Sequence, residues 1–220
     1  MDEPPSAPKV AEVRDVPRGR QRLIILDDGR EFLFSEEACE RRHVVVGSEA
    51  DAALFSELEA AEQRVLAHDA ALRLLSHRAR SETEMRRRLA MRGIEPGAID
   101  DEIERLERAG LLDDEKFARA WVEDRKRIAP RGRRMLRYEL LGRGIEPDSV
   151  ELVTRDIDDR ETAVELARVR ARKTSTADFD TFFSKVGGFL RRRGFDYEIA
   201  ADATRIAWDE SRPERGADTD

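Results

Sequence analysis

A single cysteine, Cys39, stands among 220 residues. That excludes an internal disulfide framework and is compatible with a reducing cytoplasm. Histidine is nearly as scarce: His43, His68 and His77 lie far apart, and with Cys39 they have no zinc-like spacing, so no metal is expected. Aromatic residues make up 6% of the chain against 40% charged residues, which argues for long solvated helices around a lean aliphatic core. No apolar run approaches the roughly 18 residues of a membrane span. The start, Met1-Asp2-Glu3-Pro4-Pro5, is acidic and proline-rich and does not read as a signal peptide. A soluble, cytoplasmic protein with no membrane partner is expected. A Gly-x-x-x-x-Gly-Lys-Ser/Thr run is missing, which removes that route to ATP. The acids Asp156, Asp158, Asp159 and Glu161 lack the glycine that a calcium loop needs and read instead as a helix N-terminus. With no nucleophile beside a base, the expectation is no catalytic residue, no cofactor and no enzyme.

What is present is a repeat. Met85, Leu89, Arg92, Gly93, Ile94, Glu95 and Pro96 correspond to Leu136, Leu140, Arg143, Gly144, Ile145, Glu146 and Pro147 at one offset of 51 (144 − 93). A looser third copy, Val186, Leu190, Arg193, Gly194 and Phe195, follows at an offset of 50 (194 − 144). Self-similarity at a fixed period predicts stacked units, each unable to bury its apolar face alone. Within a copy, Ser81 with Glu84 three residues on has the spacing of a helix N-cap box. Gly93, Gly144 and Gly194 sit where a helix ends in a left-handed residue, and Pro96 and Pro147 suit the first turn of the next helix. The spacings Ala71 to Leu89 and Val122 to Leu140 are both 18, whereas Ala167 to Leu190 is 23, so the third unit has a longer connection, at Thr174–Asp178.

The predicted order is a disordered tail (1–18), a small β-hairpin subdomain (19–47), a first helical repeat with a long leading helix (48–112), a second three-helix repeat (113–157), a third (158–210) and a disordered tail (211–220). The hairpin rests on Asp27-Asp28-Gly29-Arg30 between two apolar runs. Leu111-Leu112-Asp113-Asp114 predicts a buried turn followed by an acidic N-cap. Phe117, Trp121 and Trp208 stand at helical spacing beside alanine and valine and read as core.

Charge is segregated. Residues 1–69 carry 9 basic and 16 acidic side chains, residues 70–193 carry 29 and 24, and residues 194–220 carry 3 and 8. The centre is therefore basic although the chain as a whole is at −7. Arg86 is equivalent to Arg137, and Arg92 to Arg143 and Arg193, so stacked repeats would align these five as a basic stripe that meets phosphates or an acidic groove. Arg87, Arg88, Arg131, Arg133, Arg134, Arg191 and Arg192 are secondary candidates. Taken singly, each arginine is also explained as part of a solvated helix face paired with neighbouring glutamates.

Arg80-Ser81-Glu82 with Met85 and Leu89, Gly110-Leu111-Leu112-Asp113-Asp114 with Phe117-Ala118, Gly132 with Glu139-Leu140 and Gly144-Ile145, and Leu190 to Phe195 together resemble the RecX family of bacterial recombinase regulators. The likeness spans roughly residues 65–208, with Leu111 where a tyrosine is common. It implies a mainly all-α fold, with tandem three-helix repeats forming an elongated curved array and a small N-terminal β-hairpin-containing subdomain. It also implies a monomer that binds the RecA recombinase filament, and single-stranded or double-stranded DNA without sequence specificity, and suppresses ATP hydrolysis, strand exchange and coprotease function, so regulating DNA repair. Two other classes stay open at this point: a helix-turn-helix protein that reads DNA sequence, and a helical protein–protein scaffold.

Overall fold

The computed structural model describes residues 7–17 and 20–212. The chain divides into two compact units between Leu112 and Asp113. In the first, β1 (Val10–Val16), β2 (Gln21–Leu26) and β3 (Glu31–Ser35) form an antiparallel sheet in that order. The hairpin between β2 and β3 is where Asp28-Gly29 predicts it: Gly29 takes φ +85° and the Leu26 amide donates to the Arg30 carbonyl at 2.9 Å.

Strand β1 corrects the reading of residues 1–18 as a tail, of which residues 1–6 and 18 lie outside the described ones. Its three valines are too few to announce a strand, but its stability is supplied by other backbones. Val16 pairs with Gln21 and Val10 with Leu26, while the Val10 amide donates to the Ser48 carbonyl at 2.9 Å and the Val10 carbonyl accepts the Gly47 amide at 2.8 Å. Val10 is buried with Ile24, Leu26, Phe34, Cys39, Val44 and Leu58. Of the run Val44-Val45-Val46 only Val44 enters this core, and Val45 and Val46 are exposed.

Helix α1 (Glu36–Arg41) is capped by Ser35, whose hydroxyl accepts the Ala38 amide. Helix α2 (Ala52–His77) runs from that subdomain into the first repeat, where α3 (Glu82–Ala90) and α4 (Pro96–Arg108) complete three helices. The second unit holds the other two repeats: α5 (Asp114–Ile128), α6 (Arg133–Leu141) and α7 (Pro147–Thr154), then α8 (Asp159–Ala171), α9 (Phe179–Arg192) and α10 (Tyr197–Ser211). Residues 213–220 of the expected C-terminal tail lie outside the described ones.

The repeat arithmetic holds in three dimensions. Met85, Leu136 and Val186 are buried at equivalent positions, as are Leu89, Leu140 and Leu190. Gly93, Gly144 and Gly194 take φ of +77°, +78° and +93°, a region open to glycine because it has no Cβ. Pro96 and Pro147 open α4 and α7, and Asp113 caps α5 by accepting the Lys116 amide at 2.9 Å, with Asp114 in the first turn. Phe117 and Ala118 are buried as expected. The turn before them is buried at Leu112 only, since Leu111 is exposed.

Candidate interaction surface

Each predicted stripe residue sits at the end of a repeat's middle helix, or one turn earlier, so its surroundings follow from the repeat. Arg86 donates to Glu82 at 2.6 Å and to Asp100. These bonds to Glu82 and then Asp100 raise the Arg86 pKa above its ordinary value. Arg137 donates to Glu151, which also takes Arg133 at 2.5 Å. Glu151 is Asp100 displaced by 51 (151 − 100), so both repeats tie the same arginine to the same place on their third helix. The acid at that offset was a signal available in the sequence. In the third repeat the two positions hold Gly187 and Ala201, and the pair is gone.

At the next repeated position the three arginines diverge. Arg92 is exposed and makes no ion pair among the described residues. Arg143 lies over the Trp121 ring, 3.6 Å from its centroid, and donates to the Glu139 carbonyl at 3.4 Å. Arg193 donates to the Pro130 carbonyl at 3.0 Å and lies 4.7 Å from the Phe189 centroid. Burial, followed by the charge of Arg131, lowers the pKa of Arg193.

Trp121 is thus half-buried and bracketed, rather than simply core. Arg125 lies 4.0 Å from its ring centroid, and its indole nitrogen donates to Glu139 at 2.9 Å. Glu139 also accepts Arg125 at 2.7 Å and stands 3.6 Å from Arg131. Neither Arg125 nor Glu139 was assigned to the predicted stripe or its secondary candidates. The 18-residue step from Trp121 to Glu139 is the one that joins Val122 to Leu140, and so could have placed them together.

Among the secondary candidates, Arg133 is held by Glu151, and its amide donates to Asp159 at 2.8 Å. Burial, with the charge of Asp196 adding to it, raises the Asp159 pKa against that bond. Arg191 lies 5.9 Å from the Tyr197 centroid. Arg87, Arg88, Arg134 and Arg192 are exposed and make no ion pair among the described residues. The second unit brings Arg131 and Arg193 together, but the five predicted stripe residues do not share one environment. The chemistry these groups offer is anion recognition by guanidinium N–H donors. Among the described residues no cluster of His, Cys, Asp and Glu could hold a metal ion, and no helix is long and apolar enough to cross a membrane.

Family models for the first, second and third three-helix domains of RecX match residues 67–106, 113–153 and 158–204. A regulatory protein RecX of Mycobacterium sp. strain JLS is 35% identical over 147 residues, which is 64% of this chain and 80% of that protein. One from Corynebacterium efficiens is 34% identical over 160 residues, 69% of this chain and 76% of the relative. A crystal structure of a regulatory protein RecX superimposes with a TM-score of 0.68 at 20% identity, covering 92% of this chain and 99% of the other.

Proposed function

Because the chain belongs to the RecX family of regulatory proteins, with all three of the family's three-helix domains present in order, we propose that it regulates DNA repair by binding the RecA–single-stranded DNA filament and suppressing its ATP hydrolysis, strand exchange and coprotease function. It acts as a cytoplasmic monomer and touches DNA through phosphates, without reading sequence. The observation that carries this reading is the recurrence of an arginine immediately before the left-handed glycine of every repeat, Arg92-Gly93, Arg143-Gly144 and Arg193-Gly194. Arg87, Arg88, Arg134, Arg191 and Arg192 are exposed. Charges placed on one structural position of repeated units add their fields over more length than scattered charges can. Contacts to phosphate oxygens position a protein on nucleic acid but carry no base information.

The test is ATP hydrolysis by the cognate recombinase on single-stranded DNA, with this protein added below stoichiometric amounts. Hydrolysis should fall steeply and by the same amount on unrelated DNA sequences. An unchanged hydrolysis rate, or inhibition confined to one DNA sequence, would remove the proposal.

A further inference from the structure

In the second unit Arg131 and Arg193 stand close enough for their charges to oppose each other, and Arg170 reaches the same Phe189 ring as Arg193. Gly132 and Gly194 pass so closely that a Cβ on Gly132 would lie 2.6 Å from the Gly194 carbonyl carbon, and this contact sets Arg131 beside Arg193. Arg193 has no carboxylate partner among the described residues. It makes one bond to the Pro130 carbonyl and shares the Phe189 ring with Arg170, at 4.7 and 5.5 Å from the centroid. Arg170 likewise has no carboxylate, and its Nε is buried without a hydrogen bond. The Arg131 Nε is also buried and unbonded, since Glu139 stands 3.6 Å away and is already engaged by Arg125 and Trp121. A buried donor without an acceptor is unfavourable unless a ligand supplies one.

We propose that Arg131 and Arg193, with Arg170 beside them at the Phe189 ring, form a site for one phosphate group of a nucleic-acid backbone, where the second and third repeats meet. The three side chains arrive from three elements: the loop before α6, the end of α9 and the end of α8. A carboxylate accepts in a single plane, whereas the tetrahedral oxygens of a phosphodiester accept from several directions. The like charge of Arg131 that, with burial, makes protonated Arg193 less favourable is offset when an anion enters between them. This inference rests on the reading of the protein as a filament regulator that contacts phosphates, and it assigns that contact to a place.

The experiment uses the full chain and an oligothymidylate, read by fluorescence anisotropy over a salt series. A second oligomer of the same length has an uncharged methylphosphonate backbone. The variant Arg131→Gln with Arg193→Gln is compared with Arg155→Gln and Arg205→Gln, two exposed arginines paired only with Asp156 and Asp202. The first pair should bind the phosphodiester oligomer about tenfold more weakly, with a salt slope lower by about one. The control should stay within about twofold of the parent, and the methylphosphonate should bind no form. Unchanged binding by the first pair overturns the site. So does a loss seen only with DNA-free recombinase, which would give the cluster to an acidic protein surface. If the parent protein fails to inhibit the recombinase while the oligomer result holds, the regulatory reading falls and the phosphate site stands. If the glutamine pair does not fold by circular dichroism, Arg131→Lys with Arg193→Lys decides. Weaker binding at an unchanged salt slope supports forked contacts, and parental affinity overturns them.

Discussion

The amide of Gly132 donates to the carbonyl of Arg193 at 2.9 Å, across 61 residues of chain (193 − 132). The bond joins the start of α6 to the end of α9, and with it the second repeat to the third. It requires glycine at both ends of the contact, because Gly194, at φ +93°, has the Met135 backbone nitrogen 2.7 Å from where its own Cβ would stand.

Gly132→Ala should therefore destabilise the second unit by about 1–3 kcal/mol, the range for forcing atoms into a packed site. Gly97→Ala is the comparison, since nothing lies within 4 Å of a Cβ there. Urea melts of both should separate them clearly; equal midpoints would mean that the two loops can part without loss.

Deleting residues 1–18 should lower the stability of the N-terminal subdomain, because β1 supplies one edge of the sheet and Val10 belongs to its core. Val10→Ala alone should lose about 1–2 kcal/mol as a buried large-to-small change. Proteolysis of the subdomain is the readout, and an unaltered cleavage rate would show that β1 is dispensable.

The Glu84 carboxylate gives a pH dependence. Burial alone would raise its pKa, but hydrogen bonds and charge from Arg78 and Arg80 outweigh that and hold it below the ordinary 4.5. A depressed folded-state value means that the unfolded chain binds the proton more readily. The stabilisation is present above pH 4.5 and is lost as pH falls below it toward the folded-state value. Glu84→Gln should lower stability at neutral pH and flatten the acid limb of the stability curve. A parallel downward shift at every pH would assign the loss to packing instead.

Pairing ranks the arginines. Arg86 and Arg137 are held by acids on the third helix of their own repeats, while Arg92, Arg134 and Arg192 are not held by any described acid. Replacing the unpaired three with alanine should lower the salt slope of filament binding by about one per residue. Replacing Arg86 and Arg137 should change it less per residue, because guanidiniums already bonded to Glu82, Asp100 and Glu151 contact fewer phosphates. The same slope per residue in both variants would mean that pairing does not govern availability.

The repeat was legible in the sequence because its signals are local. Leucine at one helical spacing, glycine before Ile94 and Ile145, and proline three residues after that glycine state where a helix runs, stops and starts again, whatever surrounds them. The hairpin at Asp28-Gly29 was legible for the same reason. The tertiary structure decided what depends on distant chain. Residues 10–16 became a strand because β2 offered backbone partners and the subdomain core a place for Val10, and both come from distant chain. Trp121 became the centre of an arginine bracket because α6 brought Glu139 against it. Equal sequence offsets placed Arg92, Arg143 and Arg193 at one helical position but could not set their partners, which come from other elements: solvent for Arg92, an indole for Arg143, and for Arg193 the loop at Pro130 that only two glycines allow to approach.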